Sequence, residues 1–117
     1  MTNVMQDRLQ FITSDEVEKA LDFLRDSAQQ LGDAKARSIK STHMLKHVEA
    51  LKAKASNEKA AEARKADART SPEFVEALTE DAIASGEYEK LRALREAAGA
   101  KIEAWRSQQA NYRHMKL

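Results

Sequence analysis

The chain has one proline, Pro72, and about forty residues run on either side of it with almost no helix breaker. Proline is tolerated at the first position of a helix and is disruptive inside one. Its place after Thr70-Ser71 and before Glu73 therefore reads as a helix start, with Ser71 as N-cap and Glu73 at the positive end of the helix dipole. A second start stands at Thr13-Ser14-Asp15-Glu16, the spacing of a capping box. Ser56-Asn57 is a weaker punctuation mark, followed by an Ala-rich stretch, Glu58 to Arg69, without a large apolar side chain. These signals predict one helical domain over 1–117: an N-terminal segment 1–13, a long helix 14–55, a connector helix 57–69 and a long helix 72–113. Each long helix would hold about 42 residues and span about 63 Å.

Periodicity gives the helices their inner faces. Val17, Leu21, Leu24, Ala28 and Leu31 follow a 4-3-4-3 spacing, with Leu45, Val48, Leu51 and Ala55 further on. Tyr88, Leu91, Leu94 or Arg95, Ala98, Ile102, Trp105, Gln109 and Tyr112 do the same after Pro72, and Phe74, Leu78 and Ala82 extend the stripe backward. The expected fold class is all-α: an elongated antiparallel hairpin of two coiled-coil-like long helices with a short helical connector, self-associating into a helical bundle.

Charge selects the antiparallel orientation. Residues 1–33 carry net −4, residues 34–56 net +5, residues 70–90 net −5 and residues 91–117 net +4. Folding back at the connector sets opposite blocks side by side, whereas parallel helices would set like against like. Single exposed pairs contribute little, but their sum discriminates between orientations. A register in which opposed residue numbers add to about 129 sets Val17 on Tyr112, Leu24 on Trp105 and Leu51 on Leu78, so that large side chains mostly face smaller ones. Lys35, Ser38 and Thr42 interrupt the stripe of the first helix, and the same register puts Thr42 near Glu87, beside Ser85-Gly86. A glycine inside a helix costs about 1 kcal/mol relative to alanine, so a kink or break is expected there, with a hinge or polar pocket as the functional alternative.

Two helices cannot cover both of their faces. Phe23, Ile39, Met44, Val75 and Ile83 are left over, to be covered by the N-terminal segment (Val4, Met5, Leu9, Phe11, Ile12) or by a second copy. Partners expected on this basis are a homodimer or higher oligomer and one further protein. Phe23, Ile39 and Met44, together with Arg106 and Arg113, are the candidate interaction residues.

Composition removes most other classes. Cysteine is absent, so no disulfide, thiolate metal site or cysteine nucleophile can form, as suits a reducing compartment; a cytoplasmic location is expected. No apolar run approaches the ~20 residues of a membrane span, and Met1 to Leu9 lack the apolar stretch of a signal peptide. His43 and His47 stand one helical turn apart, but Met44 replaces the glutamate of the zincin signature and the surrounding block is basic. No Gly-x-Ser-x-Gly turn and no phosphate-cradling glycine loop occurs, and carboxylate pairs such as Glu80-Asp81 fall at solvated helix positions. No catalytic residue, metal ligand or cofactor site is therefore expected. Twenty basic against nineteen acidic residues leave +1, which by itself attracts no nucleic acid. The stretch Lys35–Lys54 and the tail Trp105 to His114, with aromatics among Arg, Gln and Asn, keep nucleic-acid association as the alternative. Pairing of Arg106 and Arg113 with Glu16 or Asp22 is the competing use of those side chains.

Tyr88-Glu89-Lys90-Leu91-Arg92, Ala97-Ala98, Ile102-Glu103-Ala104-Trp105-Arg106-Ser107-Gln108 and Ala110-Asn111-Tyr112-Arg113, with Ser71-Pro72-Glu73-Phe74 ahead of them, resemble the C-terminal half of small helical proteins encoded by bacteriophages and prophages. The resemblance covers residues 70–113 and only loosely the first helix. Those proteins are mostly uncharacterised and often lie near recombination or replication genes. The resemblance implies a phage setting in a host bacterial cytoplasm, with no activity and no functional residue attached. The sequence thus predicts a non-enzymatic protein-interaction module, with a nucleic-acid-associated accessory of phage recombination or replication as the alternative.

Overall fold

The computed structural model describes residues 11–116, with the side chain of Lys116 excepted. The described chain is all-α. Helix α1 spans Ser14–Asp26, α2 Ala28–Ala55, α3 Ala61–Thr70 and α4 Pro72–Lys116. Both N-terminal signals operate as the sequence predicts. The Thr13 hydroxyl accepts from the Glu16 amide at 3.2 Å, and the Glu16 carboxylate accepts from the Thr13 amide at 3.4 Å. The Ser71 hydroxyl accepts from the Phe74 amide at 3.2 Å and donates to the Ala68 carbonyl at 2.6 Å, joining the end of α3 to the start of α4.

Three expectations about the elements need correction. The helix expected over 14–55 is interrupted at Ser27. The connector helix begins at Ala61 rather than 57, and within it Ala68 is fully enclosed. The break expected near Gly86 is absent: α4 runs through it, and no glycine has positive φ. Helix propensity of the flanking residues, summed over many turns, outweighs one glycine. Of the N-terminal segment expected to cover spare apolar surface, residues 1–10 lie outside the described residues. Ile12 packs against the core and Phe11 is exposed.

The chain divides into two compact units. In the first, residues up to Gln30 pack with those from Leu91 onward. Val17, Ala20 and Ile102 form its buried cluster, with Ile12, Leu24, Ala98 and Trp105 packed around it. Leu24 and Trp105 therefore meet one core, as antiparallel pairing requires. The register differs from the expected one. Ser27 bonds Arg95, and Ile12 bonds Gln108, so opposed numbers add to about 122. The second unit, Leu31–Lys90, has the same offset, with Ser41 on Asp81 and Ser38 on Ser85. The register is thus shifted by one heptad from the predicted value: Leu24 faces Ala98, not Trp105. A slip of seven residues leaves every side chain on its original face, so apolar spacing alone cannot detect it.

The inner stripes also differ by one position. In the first unit, the inward residues of the first limb are Val17, Ala20, Leu24 and Ser27. In the second unit they are Leu31, Ala34, Ser38, Ser41, Leu45 and Val48. Along α4 the second unit uses Phe74, Ala77, Asp81, Ala84 and Tyr88, and the first uses Leu91, Arg95, Ala98, Ile102 and Trp105. Leu21, Leu51, Leu78 and Tyr112, read from the sequence as stripe residues, are exposed; of the two alternatives Leu94 and Arg95, Arg95 takes the inward position and Leu94 is exposed. Ala20 takes the place of Leu21 and Ala77 that of Leu78; on the first limb small side chains, Ala20, Ser27, Ala34 and Ser41, recur every seven residues on the inward face.

A Cβ added at Gly86 would meet nothing within 4 Å. Gly86→Ala is expected to stabilise the fold by about 0.5–1 kcal/mol, read as a higher midpoint in thermal unfolding followed by circular dichroism. An unchanged or lower midpoint would show that α4 is strained at this position.

Candidate interaction surface

In the first unit, the most constrained polar group is Arg95, which occupies a stripe position where an apolar residue would be usual. Its Nη1 donates to the Leu24 carbonyl and to the Ser27 hydroxyl, both at 2.7 Å. The Ser27 hydroxyl also donates to the Phe23 carbonyl four residues earlier. These contacts explain the interruption between α1 and α2. A serine hydroxyl competing for the preceding carbonyl loosens a helix turn, and the guanidinium takes up the carbonyl of Leu24. Ser27 is buried at 3% relative exposure, and its hydroxyl is satisfied there. Near the other end of the unit, Gln108 donates to the Ile12 carbonyl and accepts from its amide, both at 2.9 Å, which satisfies the backbone just before the Thr13 cap.

On the flank of the same unit lies an open groove of about 350 Å³. Ala20, Phe23, Leu94 and Ala97 give it an apolar floor, and Glu16, Lys19 and Lys101 stand at its rim. Phe23 is half-buried and Leu94 is 48% exposed.

The second unit is bound across its helices by polar groups. Arg37 reaches Glu80 at 2.8 Å and Glu87 at 2.7 Å, and its pKa is raised above its usual high value, chiefly by the hydrogen bond to Glu80. The Thr42 hydroxyl donates to Asp81 at 2.7 Å. Thr42 was expected beside Glu87, and the heptad shift accounts for the difference. Lys52 pairs with Glu73 at 3.1 Å, and Arg69 with Glu49 at 3.1 Å. The Glu73 carboxyl is held below the usual carboxylate range, first by its own backbone amide at the start of α4 and then by Lys52. Met44 lines a smaller hollow with Arg37, Lys40, Ser41, Ala77 and Glu80.

The candidate residues named from the sequence do not form one patch. Phe23 lies in the groove of the first unit, and Ile39 and Met44 are exposed in the second, at 51% and 45%. Arg106 is exposed and pairs with Glu103 on its own helix at 3.0 Å, not with Glu16 or Asp22; Glu16 caps α1, and Asp22 pairs with Arg25 at 3.3 Å. Arg113 is exposed near the end of α4. Gln108, read as able to bond bases, is committed to Ile12. His43 and His47 are both exposed, and among the described residues no group of three or more His, Cys, Asp or Glu is placed to hold a metal ion. No described helix is long and apolar enough to cross a membrane.

No family model, curated protein or solved structure matches the chain.

The sequence reading missed Ser27 and left the stripe position open between Leu94 and Arg95. One signal could have found them: small residues every seven positions at 20, 27, 34 and 41 mark the inward phase more sharply than the leucines do.

Arg95→Leu is expected to cost roughly 1–3 kcal/mol, because the Ser27 hydroxyl and Leu24 carbonyl lose a charged donor while buried or half-buried. Chemical denaturation reads the loss; an unchanged stability would show that water replaces the guanidinium freely. For Glu73 the folded pKa is lowered, so its contribution is present above the ordinary carboxylate pKa and is lost as pH falls through the lowered one. Glu73→Gln should therefore reduce stability at neutral pH and flatten the acid limb of the stability profile; an acid limb of the same slope would contradict this role.

Proposed function

We propose that the chain is a non-enzymatic helical module that works by protein contact, with a second copy of itself and with a further protein. The observation that carries this reading is the balance of apolar surface. Among the described residues, eleven large apolar side chains are exposed, including Leu21, Ile39, Leu51, Leu78, Ile83 and Leu94. The buried apolar residues larger than alanine are Val17, Phe74, Leu91 and Ile102. Singly exposed apolar residues are ordinary, but a surface that displays more of them than the core encloses gains free energy when another helical face covers it.

Local charge pairing favours this reading over nucleic-acid association. Within Lys35–Lys54, Arg37 and Lys52 already hold carboxylates across the helix pair, which weakens the field a phosphate backbone would meet. The resemblance of residues 70–113 to small phage and prophage proteins supports placing the module among phage accessory functions.

Size-exclusion chromatography with light scattering tests self-association. The expected mass is at least twice the 13.1 kDa of one chain, with a melting midpoint that rises with protein concentration. A 13.1 kDa species whose midpoint is independent of concentration would refute self-association.

A further inference from the structure

The groove of the first unit lies on the side of α4 from which the chain enters α1. Leu94, Lys101 and Gln108 follow one another at intervals of seven residues, so they share one face of α4. Leu94 and Lys101 line the groove. Gln108 holds Ile12 by both its amide and its carbonyl at 2.9 Å, and Ile12 packs against the core of the unit. The chain just before α1 is therefore tethered to the α4 face that forms one wall of the groove, two turns beyond Lys101.

Residues 1–10 precede that tether, and their length suits the groove. At 1.5 Å per residue, Lys101 lies about 10 Å along α4 from Gln108, and Leu94 about 21 Å. Ten residues span about 15 Å as a helix and about 33 Å when extended, so either form reaches into the groove. Their spacing suits it as well. Met1, Val4, Met5 and Leu9 stand at i, i+3, i+4 and i+8, which puts them on one side of a helix, with Asn3, Gln6, Asp7 and Gln10 on the other. Arg8 shares the apolar side, and its long stem can carry the guanidinium out to Glu16 on the rim. Met5 stands seven residues before Ile12, as Lys101 stands seven before Gln108. A helical path from Ile12 back along α4 therefore brings Met5 level with Lys101 and Met1 level with Ala97. Unbranched methionine side chains fill an uneven apolar floor such as that of Ala20, Phe23 and Ala97.

We propose that residues 1–10 of the same chain occupy this groove, running beside α4 with Met5 over Ala20 and Phe23. The segment is a third packed element of the first unit and closes its apolar flank from within the chain. This does not depend on the self-association reading: exposed side chains of the second unit, such as Ile39, Leu51 and Leu78, are left to a partner.

The chain has no cysteine, so disulfide trapping in the full chain reports position directly. A disulfide needs Cα atoms within about 7 Å of each other. Met5→Cys combined with Lys101→Cys, or with Ala97→Cys, is expected to form a disulfide under mild oxidation and to keep the mass of one chain, 13.1 kDa, on a non-reducing denaturing gel. Met5→Cys combined with Glu103→Cys is the control. Glu103 stands two residues from Lys101, about 200° around α4 at nearly the same height, and should trap far more slowly. Thermal unfolding gives an independent readout. Met5→Ser should lower the midpoint by roughly 4 °C or more, and by clearly less in a Phe23→Ser background, where the contact it removes is already gone. No trapping at Lys101 and Ala97, equal trapping at Glu103, or additive midpoint shifts overturns the proposal. So does a disulfide-linked species of doubled mass, which assigns the groove to the segment of a second copy.

Discussion

Small side chains every seven residues set the terms on which these helices pack. Ala20, Ser27, Ala34 and Ser41 present little bulk on the inward face of the first limb, so larger groups on α4 fill the space opposite them. Packing density inside proteins tolerates neither a void nor an overlap of one methylene without cost. A stripe of alternating small and large positions is therefore satisfied by one phase of each helix. The leucines just off that phase, Leu21, Leu51, Leu78 and Leu94, are turned outward by the same requirement. Their exposure is a consequence of close packing inside, and it creates the surface from which we derive the proposed role.

Polar groups within the stripe do different work. An apolar heptad packs as well one repeat along as it does in place, and the charge blocks are too coarse to resolve seven residues. Arg95 with Ser27, Ser41 with Asp81 and Gln108 with Ile12 do distinguish these registers. Displaced by a heptad, each would leave a donor or carbonyl without its partner in a half-dry setting, which costs more than the contact itself contributes. The polar zone that looks in the sequence like a weak point is therefore a register lock. Its contribution lies in specificity, in the manner of a single polar residue at a coiled-coil core position.

How much of the chain was legible follows from the range of each interaction. Thr13 with Glu16, and Ser71 with Pro72, are local: the cap and the amide it satisfies lie within one turn, and both are found as read. The all-α class and the antiparallel direction were also legible, because composition and charge blocks average over many residues. The phase of the inner stripe was misread because Leu21 and Leu78 attract attention by size, whereas fit is decided by the smaller Ala20 and Ala77. The groove was half legible: Phe23 stood out as uncovered, while Leu94 stood as one of two alternatives, with Arg95, for a stripe position.

Sequence by itself determined where the first and last helices begin, that no strand competes with the helices among the described residues, and that the limbs run in opposite directions. Each of these follows from free energies that are local or that sum over many like terms. Tertiary structure alone decided the register, the interruption at Ser27 and the identity of the exposed leucines. Those depend on a few contacts between residues forty or more positions apart, from 40 for Ser41 and Asp81 to 96 for Ile12 and Gln108, and a one-dimensional pattern with a period of seven carries no information about which repeat meets which.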